Sequence, residues 1–347
     1  MDYDMTMPSK KNVLFSIVVP AFNVEKFIHR AVSSIINQSF QDFELIIVND
    51  GSKDNTTNII NEISNQNPKI TIINHSKNES LHIARSSGVA AANGKYVVFL
   101  DGDDYFEKNA FAELYKTIQE NPGYDIYEYG YIRQPSGEIV FPSHSIPDRF
   151  SAFFTKEYLP PPTMWNKVYL AALIKKAFAS MEQVYLNNTE DTYESIVIAF
   201  YAKRIITIKK IITNYQTGSG VSTTYKDYNK TIEFLQSIKT MSDLVKLFLY
   251  RNDIDINLDN LEYLFLESTI HYYICSQENE EDIKKLFLSL PTFFDTRIII
   301  EYLFQVENSY KKISNSKSYM LGRILLSPLR KLKQLFRIFL KENYTKI

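Results

Sequence analysis

One cysteine, Cys275, is all that 347 residues contain. That excludes an internal disulfide framework, fits a reducing compartment, and makes the residue read as a buried apolar side chain. No uninterrupted apolar run approaches the roughly 20 residues of a membrane-spanning helix. No apolar core follows the first charges either, so a secretory leader is not expected. Neither charge sign is in excess: 39 Lys and Arg face 40 Asp and Glu, a formal −1, and nucleic acid or another general polyanion is not an expected partner. Internal repeats and low-complexity linkers are missing too. With 45% hydrophobic and 23% charged residues, the remainder is an ordinary globular chain of about two domains.

What is present is a rhythm. Residues 13–20, 43–48, 69–74 and 96–100 are apolar runs of strand length. Helical spacing marks 25–38, where Ile28, Ala31, Val32 and Ile35 fall at i, i+3, i+4 and i+7. It also marks a helix capped by Asp54 with Ile59, Ile60 and Ile63 inward, then 80–93 with Gly94 beyond it, and 107–120. Strand and helix alternate through short connections, which predicts an α/β fold with a parallel sheet. Past Asn121 the rhythm breaks. Residues 124–132 and 138–141 read as strands about a Pro-Ser-Gly turn, 204–215 as a strand, and a helix follows Thr163-Met164-Trp165-Asn166-Lys167. A further helix runs to Ala202, and the chain is helical beyond Tyr225. The expected domains are 13–225 and a helical 226–347.

The chemistry concentrates where the run 96–100 stops. Asp101, Asp103 and Asp104 follow it, with Gly102 between the first two. Ligands of open α/β sheets sit beyond the carboxyl ends of the strands. Clustered carboxylates there repel unless a cation neutralises them, and hard oxygen ligands suit Mg²⁺ or Mn²⁺. The plainer reading is an aspartate-rich turn that caps the next helix. An EF-hand fails on spacing, because Tyr105 takes the third ligand position.

Four pieces in order, FSIVVPAFNVEKF, IIVNDGSKDNT, ARSSGVAAANGKYVVFLDGDD, and TMWNKVY followed by NNTEDTYE, make residues 14 to about 222 resemble family 2 of the glycosyltransferases. The resemblance implies the GT-A fold, a Rossmann-like nucleotide-sugar-binding domain. The last two pieces are most similar to the small enzymes that add hexoses to bacterial lipooligosaccharide or capsule. By that resemblance Pro20, Ala21 and Phe22 cradle the nucleotide base and Asp50 hydrogen-bonds it. Arg85 approaches the nucleotide and the acidic motif. Asp101 and Asp103, about Gly102, are the DxD pair that contacts ribose and metal. Asp191, paired with Glu190, is the base. Apart from the resemblance, Trp165 and Lys167 are read as candidates for the sugar and acceptor pocket. The departures are Asn49, where an acid is common, Ser80 and His82, where Gly and Ser are usual, and Ser86, where Asn is usual.

The residues by themselves leave plainer roles open. Phe22 reads equally as a packing anchor, Asp50 as a cap of the Ser52–Lys53 turn, and Arg85 as a surface or structural ion pair. His82 reads as a helix-surface residue, Trp165 as core, and Lys167 as the partner of a diphosphate or of an acid. Glu190 and Asp191 also suit a helix N-terminus.

The expected function is inverting transfer of a hexose from a UDP-sugar to a glycan, possibly lipid-linked, with Mn²⁺ or Mg²⁺ as cofactor. A scaffold that binds glycans on the same fold is the alternative. A haloacid-dehalogenase-type phosphatase fits poorly, since its Asp-x-Asp closes the first strand. A processive synthase fits poorly too, because the Gln-x-x-Arg-Trp motif is missing. Ten of the basic residues but only one acid, Glu342, lie from Lys311 on. There Leu325, Leu329, Leu332 and Phe339 recur among Arg330, Lys331, Lys333, Arg337 and Lys341. Such a stripe suits a helix in the headgroups of an anionic membrane, or one packed on the helical domain. A cytoplasmic protein, peripheral on the inner face of the membrane, is expected.

Overall fold

The strand β1 (Phe15–Ala21) is buried along its whole length, as a strand covered on both faces must be. In this computed structural model it pairs in parallel with β2 (Phe43–Asn49) on one side and β4 (Tyr96–Phe99) on the other, and β2 pairs in parallel with β3 (Ile70–Asn74). The described residues are 13–142, 148–155, 160–218 and 228–276, with short runs between 285 and 305. The crossovers are α1 (Ile28–Ile36), α2 (Thr56–Asn65) and α3 (Leu81–Ala91). Helix α1 buries Ile28, Ala31, Val32 and Ile35, the predicted stripe. Helix α3 lies so close on β1 that a Cβ on Gly88 would stand 2.3 Å from Val18 Cγ1. Gly94, read as a helix-end glycine, has a different reason to be small. A Cβ there would stand 2.6 Å from the Ser16 nitrogen.

The four strands of the alternating stretch are parallel, as expected, and the sheet becomes mixed beyond them. Beyond β4 come β5 (Tyr105–Phe106), α4 (Ala110–Glu120), β6 (Ile126–Gln134), β7 (Glu138–Val140) and the short α5 (Arg149–Ala152). They are followed by β8 (Lys167–Leu170), α6 (Ala171–Ala179), α7 (Glu190–Tyr201) and β9 (Ile205–Gln216). The order is β3-β2-β1-β4-β8-β6-β9-β5, with β7 on β6. Strand β8 runs antiparallel to both β4 and β6, and β5 antiparallel to β9. Only a helix was expected after Trp165. At four residues, β8 is too short for a period to declare it.

The chain divides into two compact units, residues 1–150 with 160–220, and residues 151–159 with 221–347. The second contains α8 (Tyr228–Arg251) and α9 (Asp259–Ser276). Helix α8 buries Leu235, Ile238, Leu244, Val245 and Phe248, as their spacing predicts, while Ile232 is half-buried. Among the described residues no helix is long and apolar enough to cross a membrane. The Cys275 side chain and the basic stretch 311–347 lie outside the described residues.

Candidate active site at the carboxyl edge of the sheet

Because β1, β2 and β4 are parallel, their carboxyl ends reach one edge. The chain order reverses between β1 and β4, the position at which doubly wound sheets bind ligands. Pro20 and Ala21 are buried in the end of β1, whereas Phe22 is 41% exposed, so Phe22 is not a packing anchor. The loops after β1 and β2 are laced together. The backbone N–H groups of Asn23, Val24 and Glu25 donate to Ser52 Oγ, Thr56 Oγ1 and Asp54 Oδ2 at 3.1, 2.9 and 3.0 Å. In return, those of Lys53 and Asn55 donate to Asn23 Oδ1 and Glu25 Oε2 at 2.8 and 2.9 Å. Gly102 fits against this edge: a Cβ on it would stand 3.0 Å from Val24 Cγ2 and 3.2 Å from the Pro20 carbonyl oxygen. The glycine therefore lets the acidic turn approach the end of β1.

Asp50 is buried, and both of its oxygens are occupied. His75 Nδ1 (2.7 Å) and the Glu79 N–H (2.9 Å) meet Oδ1, while Asn78 Nδ2 (2.8 Å) and the Ser80 N–H (3.1 Å) meet Oδ2. A carboxylate offers about four acceptor positions. As placed, Asp50 organises the 75–80 loop, and a nucleobase would have to displace one of these donors. Asn49 donates to Thr57 Oγ1 and Asn74 Oδ1, both at 3.0 Å. A carboxylate at that position could accept from the Thr57 hydroxyl but could not donate to Asn74 Oδ1, which favours the amide.

Arg85 is the hub. Its side chain is 1% exposed, and Nη1 donates to Asp191 Oδ1 and, at 2.9 Å, to Glu194 Oε2. Nη2 lies 3.5 Å from Asp101 Oδ1. The sequence reading of His82 as a surface residue is corrected. It is fully buried, with Nδ1 2.9 Å from Glu194 Oε1 and Nε2 3.0 Å from the Glu182 carbonyl. Asp101 is 26% exposed, yet desolvation, only partly offset by Arg85 and reinforced by Asp103 and Asp191, pushes its carboxyl up to about 7. Asp104 is wholly buried and pushed well above the carboxylate range by desolvation and by Asp101 and Asp103. Its Oδ1 accepts from the Gln216 N–H at 2.7 Å. Asp101 Oδ1 and Asp104 Oδ2 have no hydrogen-bond donor.

Glu190 and Asp191 open α7. Glu190 is buried with Oε2 unbonded, and desolvation followed by the Asp191 charge raises it to about 8. Asp191, 29% exposed, is raised by desolvation and lowered by Arg85. Of the pair, Asp191 is the one that a solvent-borne hydroxyl can reach.

Trp165 and Lys167 do not line an open pocket. Trp165 is buried, stacked on Tyr215 with centroids 4.7 Å and planes 2° apart, and edge-on to Tyr131 at 4.7 Å. Lys167 is buried beside Glu128 (3.5 Å), which also holds Arg149 at 2.6 Å, and it bonds Thr163 and Asn166. Desolvation lowers its ammonium to about 8. Of the two partners offered by sequence, it has taken the acid.

Sequence reasoning missed Glu194, Arg30 and Glu128. Glu194 had a signal: it is the only charged side chain from 192 to 202, a largely apolar stretch. A lone acid in such a run is a buried polar group that requires a partner.

A parallel half-sheet whose switch point faces an Asp-Gly-Asp turn, with an arginine tying that turn to a second acid, is an arrangement of the GT-A fold. The sequence model described as Glycosyl transferase family 2 matches residues 16–180, and that segment belongs to the family. Among curated relatives, the uncharacterized glycosyltransferase EpsJ of Bacillus subtilis is 38% identical over 128 residues, 37% of this chain and 37% of EpsJ. The glycosyltransferase GlyA of Streptococcus pneumoniae is 27% identical over 219 residues, 59% of this chain and 31% of GlyA. The chain thus spans about a third of the length of these two relatives. In fold it is similar to S. aureus TarS 1-349, solved in complex with UDP-GlcNAc. That likeness has a TM-score of 0.55 at 18% identity and covers 96% of this chain and 92% of the other.

Proposed function

We propose that this chain transfers one hexose from a UDP-sugar to a glycan hydroxyl, with inversion, in the synthesis of a bacterial surface polysaccharide. The observation that carries the reading is Arg85, held between Asp101 of the acidic turn and Asp191 at the start of α7. Asp191 takes the acceptor hydroxyl proton. The freed oxygen forms a bond to the anomeric carbon from the face opposite the nucleotide. The bond from that carbon to the diphosphate breaks, and UDP leaves with the electron pair. Exposed Phe22 offers a face to the base, and Asp101 orients the ribose. UDP-GlcNAc is the first donor to try, because the TarS fold was solved with it.

A divalent cation fits this site. Mg²⁺ typically uses one or two carboxylates with substrate phosphates, and the Asp101 side chain, 26% exposed, keeps part of its carboxylate open at the acidic turn. Among the described residues no group of three or more His, Cys, Asp or Glu closes around an ion, so Asp103 and Asp101 would share it with the donor. When bound, the cation would stabilise charge developing on the diphosphate. The experiment is a panel of nucleotide sugars with glycan acceptors, read by UDP release and by NMR of the product. Retention of the donor's anomeric configuration overturns the mechanism, and absence of UDP release across the panel overturns the reading.

The basic stripe from Leu325 to Lys341 supports docking on an anionic membrane surface where a lipid-linked acceptor is met. Liposome flotation with and without residues 328–347 tests it. Equal flotation of the two forms overturns it.

A further inference from the structure

Two helices contribute two residues each to one buried ladder. His82 and Arg85 are i, i+3 on α3, and Asp191 and Glu194 are i, i+3 on α7, so each pair shares a helix face. His82 meets Glu194, Arg85 meets Asp191, and Arg85 also meets Glu194 across the diagonal. Asp101 and Asp191 are partly open to solvent, while His82 and Glu194 are fully closed from it.

The donor count in this ladder is informative. His82 Nε2 faces a backbone carbonyl and Nδ1 faces a carboxylate, and both of those groups accept. Satisfying both takes two protons on the imidazole, or one shared with Glu194. Either way Glu194 Oε1 is committed to His82, and only Oε2 is left for Arg85. The guanidinium thus has one arm fixed from behind while Asp101 and Asp191 contact it from the open side. Flanking rings keep the histidine in place: Phe178 stacks on it with centroids 6.0 Å apart, and Tyr193 tilts against it at 5.8 Å.

We propose that Glu194, held by His82, is a positioning residue that anchors the Arg85 guanidinium and so fixes the separation of Asp101 and Asp191. Its catalytic consequence rests on the transferase reading above. If Glu194 is neutralised, Arg85 is drawn toward the two partly open acids, its existing ion pair with Asp191 tightens, and the freedom of Asp191 to accept a proton falls. If His82 is replaced, Glu194 loses the contact that holds it, and the anchor on Arg85 loosens in the same sense. Glu194 touches no reacting atom in this scheme.

The test uses the full chain with Glu194→Gln and His82→Gln, both shape-conserving. The first measurement is independent of activity: NMR of labelled arginine side chains, following rotation of the Arg85 guanidinium. Restricted rotation in the wild type and faster rotation in Glu194→Gln are expected. Equal rotation in the two overturns the anchoring. The second measurement is transfer kinetics. A fall of kcat on the order of 10–100-fold is expected, the scale of a misplacement near 1 Å, with the donor KM within about twofold. An unchanged kcat overturns the positioning role, and so does a loss of kcat that merely follows a loss of folded protein by thermal melting. Should Glu194→Gln fail to fold, His82→Gln carries both measurements. If the wild type transfers no sugar from any donor, the transferase reading fails, and the guanidinium rotation still decides the anchoring.

Discussion

Arg30 Nη2 donates to the main-chain carbonyl of Asp103 across 2.8 Å, while the same guanidinium lies 4.4 Å from the centre of the Tyr105 ring and reaches Gln216 Oε1 at 3.2 Å. Helix α1 thereby clamps the acidic turn through its backbone, while the end of β9 also holds it through the Asp104 carboxylate. Arg30→Ala should loosen the turn and raise the donor KM by up to about tenfold, the lower end of what a charged hydrogen bond contributes. Its kcat should fall less. Asp103→Ala should instead abolish transfer, as should a chelator acting on the wild type, while the melting temperature stays close to the wild-type value. Steady-state kinetics beside a thermal melt separate the two. Full activity in chelator removes the metal from the scheme.

Asp191→Asn keeps the side-chain shape and removes the basicity. Turnover should drop on the order of 10²–10⁴-fold, the usual range for a general base, with UDP affinity by calorimetry nearly unchanged. A matching loss of UDP affinity would reassign Asp191 to binding, and Glu190 would be the next candidate for the base.

How much of this was legible in sequence depended on the range of the interaction. Helix α1 and the parallel strands were legible because their buried positions repeat at 3.6 residues or form continuous apolar runs. Asp101 and Asp103 stood out because carboxylates end an apolar strand. The burial of His82 was not legible, because its partner Glu194 is 112 residues away and only folding brings α3 and α7 together. Lys167 was assigned to a pocket for the same reason: Glu128, which holds it, sits on a strand read for its apolar content. The antiparallel β8 was hidden by its length. Local periodicity shows which face of an element is buried, and it carries no information on which distant charge that face will meet.

Glu190 gives a pH dependence with a definite sign. Burial and the Asp191 charge raise its folded pKa from 4.5 to about 8. Between those values the folded state holds a proton that the unfolded state has released, so stability declines as pH rises through this window. The contribution is fully present below about pH 4.5 and lost above about pH 8. Glu190→Gln does not titrate. Its melting temperature relative to the wild type should therefore climb from pH 5 to pH 8 and level off above. A difference that is flat across the window would mean that Glu190 is ionised in the folded protein.

Ser80 supplies the last prediction. It precedes α3 with φ of 95°, a region that glycine enters freely and other residues enter at a cost. Its hydroxyl accepts from the Leu186 N–H at 3.2 Å, and its own N–H donates to Asp50. Backbone strain of this kind costs on the order of 1–3 kcal/mol, and a typical hydrogen bond returns roughly 0.5–1.5 kcal/mol. Ser80→Ala loses the hydroxyl, keeps the strain, and leaves the Leu186 N–H buried without a partner. Ser80→Gly loses the same bond and releases the strain, at an entropic cost of about 0.4–1 kcal/mol through the unfolded chain. The lost bond is common to both variants and cancels in their comparison. Glycine should therefore be the more stable of the two by roughly 0.5–2 kcal/mol in denaturant unfolding. Alanine equal to or better than glycine would mean that the backbone at Ser80 is not held in the left-handed half of conformational space, and that the 75–80 loop is organised by Asp50 alone.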